Sequence, residues 1–172
     1  MKTYLKTAAA LAGVLLLAGC AFPGAGGSRD ARDSSGTGAP MGGREQVSCT
    51  DSASVTLDGR DVRYDVAGDC AEVVVRGDDL DVRMGATTSL SIEGRDNDVE
   101  SSSEFGAVTI KGDDNDVEAR TIASISIAGN DNSVEADTVG SVEIAGNDND
   151  VEAGNDPQPV RVSGEGNRVE RR

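Results

Sequence analysis

Residues 90–100 read LSIEGRDNDVE, and residues 108–118, 125–135 and 142–152 read VTIKGDDNDVE, ISIAGNDNSVE and VEIAGNDNDVE. Four versions of one unit lie at an almost constant spacing. Working outward, Gly59, Gly77, Gly94, Gly112, Gly129, Gly146 and Gly164 extend the period to seven units, spaced by 17 or 18 residues. A fixed period this short indicates stacked supersecondary units rather than one globular core. Within a unit, apolar residues alternate with polar ones, as Ile125 and Ile127 before the glycine and Val134 and Ala136 after it. That is strand periodicity. The parity breaks at Gly129-Asn130-Asp131, so the chain bends there. Glycine supplies a permissive backbone and the Asx side chains bond their own turn. A further apolar site ten residues past the glycine, at Ile122 and Val139, adds a third short side. The expected fold is all-β: a parallel β-solenoid of about seven coils of 17–18 residues over residues 49–172.

Stacking like on like at about 4.8 Å generates columns. Val55, Val73, Leu90, Val108, Ile125, Val142 and Val160 form one inward column, and Leu57, Val75, Ile92, Ile110, Ile127, Ile144 and Val162 form a second. Asn97, Asn115, Asn132, Asn149 and Asn167 are expected to stack as an inward amide ladder, each bonding its neighbours above and below. Val62 and Leu80 hold that position in the first two coils, so the ladder begins at the third. Both ends of the solenoid carry features that block edge pairing: Pro157, Pro159, Arg161, Arg168, Arg171 and Arg172 at one, a cysteine pair at the other. A monomer is expected.

The first 19 residues have the form of a secretion signal, with Lys2 and Lys6 before an apolar run from Ala8 to Ala18. They end at Leu17-Ala18-Gly19-Cys20, which resembles the lipobox of bacterial lipoproteins. The resemblance implies cleavage before Cys20, acylation of that cysteine, and a protein held in the cell envelope on the plasma or outer membrane. Several acyl chains anchor firmly, at about 0.8 kcal/mol per buried CH₂. Residues 20–48 are rich in Gly, Ser, Ala and Pro, without strand or helix periodicity, and read as a tether reaching about 30 Å root-mean-square. With Cys20 committed to lipid, Cys49 and Cys70 remain as an even pair in an exported chain, expected to be bonded and to cap the N-terminal end.

The cysteine pair, a V-x-V-x-G strand such as Val73–Gly77, and the I-x-G-x-x-N-x-V units together resemble an uncharacterised bacterial family of exported and lipid-anchored proteins, domain of unknown function 3060. The resemblance covers residues 48–172 and implies a fold and an envelope address, without a reaction. Asp replaces Asn in several of the G-N-N-N runs, as at Gly112-Asp113-Asp114-Asn115, so this chain is more acidic than the pattern.

The formal charge is −15, and loss of Lys2 and Lys6 with the signal leaves the mature chain more acidic still. Such a surface repels nucleic acid and anionic headgroups and favours cations. Three acidic columns stand out: Glu100, Glu118, Glu135, Glu152 and Glu170; Asp98, Asp116 and Asp150; and, at the bend, Asp61, Asp79, Asp96, Asp114, Asp131 and Asp148. Stacked carboxylates repel unless screened, protonated or bridged, and Ca²⁺ takes oxygen ligands of this kind. Ca²⁺ binding on these columns is therefore one expectation. The unit is similar in part to the glycine-rich Ca²⁺ repeats of secreted bacterial toxins, but it lacks their paired glycines and its aliphatic residue falls one place later. Bend aspartates acting as turn formers beside a solvated glutamate face account for the same residues.

A carbohydrate-active β-helix enzyme is the third class. The chain has no histidine and no tryptophan, and its only aromatics are Tyr4, Tyr64, Phe22 and Phe105, too few for a sugar-stacking platform. Glu104-Phe105-Gly106 interrupts the repeat, as a one-residue insertion or a loop with a role. The favoured expectation is a non-catalytic, lipid-anchored envelope protein presenting a rigid acidic rod to an envelope protein or polymer. No cofactor is expected apart from the Ca²⁺ considered above.

Overall fold

Every inward position of the repeat finds its counterpart one coil away, which is the structural meaning of the 17–18-residue period. The computed structural model describes residues 41–49 and 53–172; the signal segment, Cys20 and most of the tether lie outside them. Twelve strands build the described part, with no helix: β1 Met41–Ser48, β2 Ser54–Ala67, β3 Cys70–Asp78, β4 Asp81–Met84, β5 Thr87–Arg95, β6 Asp98–Glu100, β7 Glu104–Asp113, β8 Asp116–Ile127, β9 Ser133–Ala145, β10 Asp150–Ala153, β11 Val160–Ser163 and β12 Arg168–Arg171. All the pairings are parallel, in the order β12-β10-β9-β8-β6-β4-β2-β3-β5-β7, with β1 on β2, β11 on β9 and β8 also on β7. The fold is a parallel β-solenoid of about seven turns. Each coil has a first arm ending at the glycine, a bend, a second arm and a short third side.

In the first arm, the column from Val55 to Val160 and the column from Leu57 to Val162 pair residue for residue. Val73, Val75, Leu90, Ile92 and Ile110 are fully buried within them. The second arm adds Tyr64, Val82, Val99, Val117, Val134, Val151 and Val169. Tyr64 is buried, and its hydroxyl donates to the Asp58 carbonyl at 2.6 Å. The third side stacks Cys70, Thr87, Phe105, Ile122 and Val139. Phe105 therefore continues a column rather than interrupting the repeat, and it is 1 % exposed. The extra residue of this coil lies just before it: Glu100 pairs with Glu118 and Glu104 with Thr121, so Ser101-Ser102-Ser103 spans what two residues span in the next coil.

The Asn ladder is continuous. Nδ2 of Asn97, Asn115, Asn132 and Asn149 each donates to Oδ1 of the next asparagine, at 2.9, 3.0, 2.9 and 2.9 Å. The same Oδ1 atoms accept the backbone N–H of the asparagine before, and Oδ1 of Asn97 accepts that of Leu80. The second Nδ2 proton reaches a glycine carbonyl one coil back, as from Asn132 to Gly112 at 2.9 Å. Four buried amides are thus satisfied on both sides, the condition for placing them in an apolar core.

The bend divides the expected role of its glycine. Left-handed backbone is carried by Asp61, Asp79, Asp96, Asp114, Asp131 and Asp148, all with φ between 54° and 58°, while of the glycines in the column Gly94 (φ 145°) and Gly164 (φ 103°) also use a positive φ. Asp tolerates that region better than most residues. The glycine is needed chiefly for space: a Cβ on Gly129 would lie 1.8 Å from the Gly112 carbonyl oxygen, and one on Gly146 would lie 1.7 Å from that of Gly129.

Two further expectations change at the ends. Strand β1 pairs with the second arm of β2, Gly43 beside Val62, Glu45 beside Tyr64 and Val47 beside Val66, so among the described residues the solenoid includes Met41–Ser48 and not only residues from 49 on. Its residues lack alternation because only one neighbour lies beneath them. The Cys49–Cys70 disulfide, with Cα atoms 5.3 Å apart, ties this covering strand to the third side. At the other end no strand follows β11 and β12 among the described residues, and Val160 and Val162 are 39 % and 48 % exposed. The C-terminal coil is less covered than its prolines and arginines suggest.

Candidate functional site

The outward face of the second arm concentrates the charge of the molecule in two rows. One runs Arg44, Arg63, Asp81, Asp98, Asp116, Ser133, Asp150, Arg168; the other runs Gln46, Asp65, Arg83, Glu100, Glu118, Glu135, Glu152, Glu170. Strand alternation puts both rows on one side and parallel stacking brings like positions to about 4.8 Å. The N-terminal coils neutralise themselves: Arg44 pairs with Asp65 at 2.5 Å, Arg63 with Asp81 at 2.6 Å and Arg83 with Glu100 at 3.1 Å. Farther along, from Asp98 to Asp150 in one row and from Glu100 to Glu170 in the other, the rows hold no arginine. Arg172 folds back onto Glu135 and, at 3.3 Å, onto Asp137, while Asp98, Asp116, Glu118, Asp150 and Glu152 have no ion-pair partner among the described residues.

Electrostatics along the rows follows this layout. Partial burial, then the charges of Asp116, Asp81 and Glu100, pushes the Asp98 carboxyl above its ordinary range, with Arg83 opposing. The hydrogen bond from Arg44 moves Asp65 the other way. Asp150 keeps one carboxylate oxygen, Oδ1, buried without a hydrogen-bond partner.

The expected Ca²⁺ ligands are divided among three parallel lines. Asp96, Asp114, Asp131 and Asp148 sit in the bend, where their left-handed backbone shapes the turn. Their N–H groups donate to bend carbonyls one coil on, as Asp114 to Asn130 and Asp131 to Asn147, both at 3.1 Å. Asp98, Asp116 and Asp150 form the first row, and Glu100, Glu118, Glu135 and Glu152 the second. Among the described residues no group of three or more such side chains is placed to hold one ion. Stacking spreads carboxylates along the rod, whereas a calcium site gathers several oxygens within about 2.6 Å of one point.

The residues after Gly112, Gly129 and Gly146 form a second, short Asx ladder beside the bend that the repeat pattern alone does not distinguish from it. Asn130 donates Nδ2 to Asp113 at 2.9 Å, and Asn147 to Asn130 at 3.0 Å. Its only sequence signal is an Asx in the same place of consecutive units.

The first-arm face is chemically different. Over the central coils Ser89, Ser91, Ala107, Thr109, Ser124, Ser126 and Ser141 make it small and hydroxyl-rich; Glu72 and Glu143 bring charge into the same columns, and pairs such as Arg76–Asp58 at 3.1 Å flank them. A depression of about 630 Å³ lies where β1 meets β2 and β4; it is lined by Val47, Val66 and Met84, with Asp65 and Arg83 among its polar groups. Asp98, the one carboxyl pushed upward, lines none of the main depressions. The acids form extended rows along the stacked second arms.

No curated protein and no solved structure matches the chain. A family model described as protein of unknown function (DUF3060) matches residues 92–139, from Ile92 in β5 to Val139 in β9. Over the coils where the Asn ladder and the acidic rows coincide, this chain is similar to that family.

Proposed function

We propose that the protein is a lipid-anchored component of the cell envelope that presents its acidic solenoid face to an envelope protein or polymer and catalyses no reaction. The observation that carries the reading is the uninterrupted row Glu100, Glu118, Glu135, Glu152 and Glu170, one carboxylate per coil on a backbone fixed by strand pairing. Rows of this kind are preorganised for an extended partner with repeated cationic groups, because little side-chain and no backbone order must be created on binding. The lipobox-like Leu17–Cys20 supports the anchor, and the two arms supply two faces, one charged and one hydroxyl-rich.

The test has two parts in one strain. Radioactive palmitate is expected to label the wild-type chain in the membrane fraction and to be lost in Cys20→Ala. Zero-length carbodiimide coupling, which joins carboxylates to amines, is expected to give a discrete adduct that disappears in Glu118→Gln/Glu135→Gln/Glu152→Gln. A soluble, unlabelled chain would remove the anchor from the reading. A labelled chain without a row-dependent adduct would leave a spacer that binds nothing through this face.

A further inference from the structure

We propose that the C-terminal coil is a self-association surface, on which a second copy of the chain docks tail to tail about a two-fold axis at Val169. The starting point is the asymmetry of the ends. Val160 and Val162 are the large hydrophobic side chains left exposed among the described residues, and Val169 beside them is only partly buried. All three end inward columns that continue unbroken through the rod. No further strand pairs with the edge they occupy among the described residues: the backbone N–H groups of Arg168 and Arg172 donate inward, to Asn149 at 2.8 Å and Ala153 at 2.9 Å. Strand alternation therefore aims the N–H and C=O of Val169 outward, off the end of the sheet.

Charge selects a second copy as the occupant. Most of this chain is strongly acidic, so two copies repel along their sides. The last coil is different. Arg171 and Arg172 are spent on Asp156, Glu135 and Asp137 of their own chain, leaving Arg161 and Arg168 against Glu165 and Glu170. That balanced set is self-complementary. Antiparallel pairing of two β12 strands across Val169 exchanges its N–H and C=O with those of its counterpart. It also sets Arg168 of each copy opposite Glu170 of the other, the favourable cross-strand arrangement, while Val160 and Val162 come under cover of the partner's last coil.

Head-to-tail stacking is disfavoured by the covering strand β1. In its register Glu45 takes the inward column position above Tyr64, and Arg44 stands in the row that ends at Arg168. Stacking a tail there would set Val169 on a carboxylate and arginine on arginine. With one end blocked, association closes at two copies and does not run on into a filament.

The test is disulfide trapping in cells expressing the full chain with Val169→Cys. A hydrogen-bonded antiparallel pair holds its Cα atoms about 5.5 Å apart, within disulfide range. Mild oxidation is expected to give a covalent dimer at least fivefold above that of Ser126→Cys on the lateral face. In the Val169→Cys background, Arg168→Glu and Glu170→Arg are each expected to cut the yield at least threefold, and the double exchange to restore it. Wild-type chain in detergent is expected to sediment as two copies. A yield equal to the lateral control, an exchange that does not restore pairing, or a single copy at tens of micromolar would overturn the proposal.

Discussion

Replacing one rung of the Asn ladder is expected to cost several times more inside the rod than at its end. Asn132 is 1 % exposed. Its Nδ2 donates to Asn149 Oδ1 and the Gly112 carbonyl, both at 2.9 Å, and to the Asn130 carbonyl at 3.0 Å; its Oδ1 accepts from Asn115 N at 3.1 Å and Nδ2 at 3.0 Å. Asn132→Ala removes all of these and strands the buried N–H of Asn115, whose acceptor was that oxygen. At about 0.5 kcal/mol net for each of these five bonds and about 1.5 kcal/mol for the buried donor left unpaired, the loss comes to about 4 kcal/mol. Asn167 makes similar bonds, to Gly146 O at 2.7 Å and from Asn149 N and Nδ2 at 3.1 and 2.9 Å, but it stands at the open end, where water replaces them. Asn167→Ala is expected to cost about 1 kcal/mol. With a urea slope of about 2 kcal/mol/M, the two midpoints should differ by about 1.5 M. Circular dichroism follows the strands, and Tyr64 fluorescence reports whether the N-terminal coils unfold with the rest, a necessary check in a repeat protein. Equal losses at 132 and 167, or a loss below about 1 kcal/mol at 132, would mean that the apolar columns hold the coils in register without the ladder.

Gly129→Ala drives a Cβ to 1.8 Å from the Gly112 oxygen, so adjacent coils must part at the bend; we expect a loss of about 3 kcal/mol or more, against less than about 1 for the exposed Ala128→Gly, read by thermal melting. Cys49→Ser/Cys70→Ser is expected to cost about 3 kcal/mol by the loop-entropy argument and to speed proteolysis at β1 first, a pattern that uniform digestion would contradict. Asp98 has a raised folded pKa, so the native state binds its proton more tightly than the unfolded chain does, and its contribution to stability grows as pH falls from neutrality through that raised value towards the ordinary carboxylate range. Asp98→Asn should abolish that increment, so the mutant–wild-type difference in melting temperature should shrink between pH 7 and pH 4.5; a constant difference would show that burial and the neighbouring carboxylates do not together raise Asp98.

The coil count, the inward columns and the ladder positions were legible because a period of 17 or 18 residues forces like positions to stack, and because β-branched residues alternate at period two. The Cys49–Cys70 pairing followed from parity once Cys20 was assigned elsewhere. Other features were legible in kind but not in place. Ser101-Ser102-Ser103 absorbs the extra residue, yet small polar residues are equally at home in a turn or a strand end, so Phe105 attracted the attention instead. Strand β1 carried no pattern, because a covering strand at the end of a solenoid gains its backbone hydrogen bonds without burying a side-chain face.

What the sequence determined by itself is therefore the repeat: which residues point inward, which carry charge, and where the chain bends. Only the tertiary structure decided how these add up. The glycine and the aspartate of the bend look like alternative turn formers on paper; stacking assigns the left-handed backbone to Asp and the empty space to Gly, because backbones one coil apart leave no room for a Cβ. The acidic columns suggest an ion cluster, whereas the parallel register draws them out into rows that never converge. The exposed Val160 and Val162 belong to columns that are buried core from Val73 to Val142 and from Leu57 to Ile144. Burial depends on having a neighbour on each side, and that is a property of position in the stack, which no local pattern encodes.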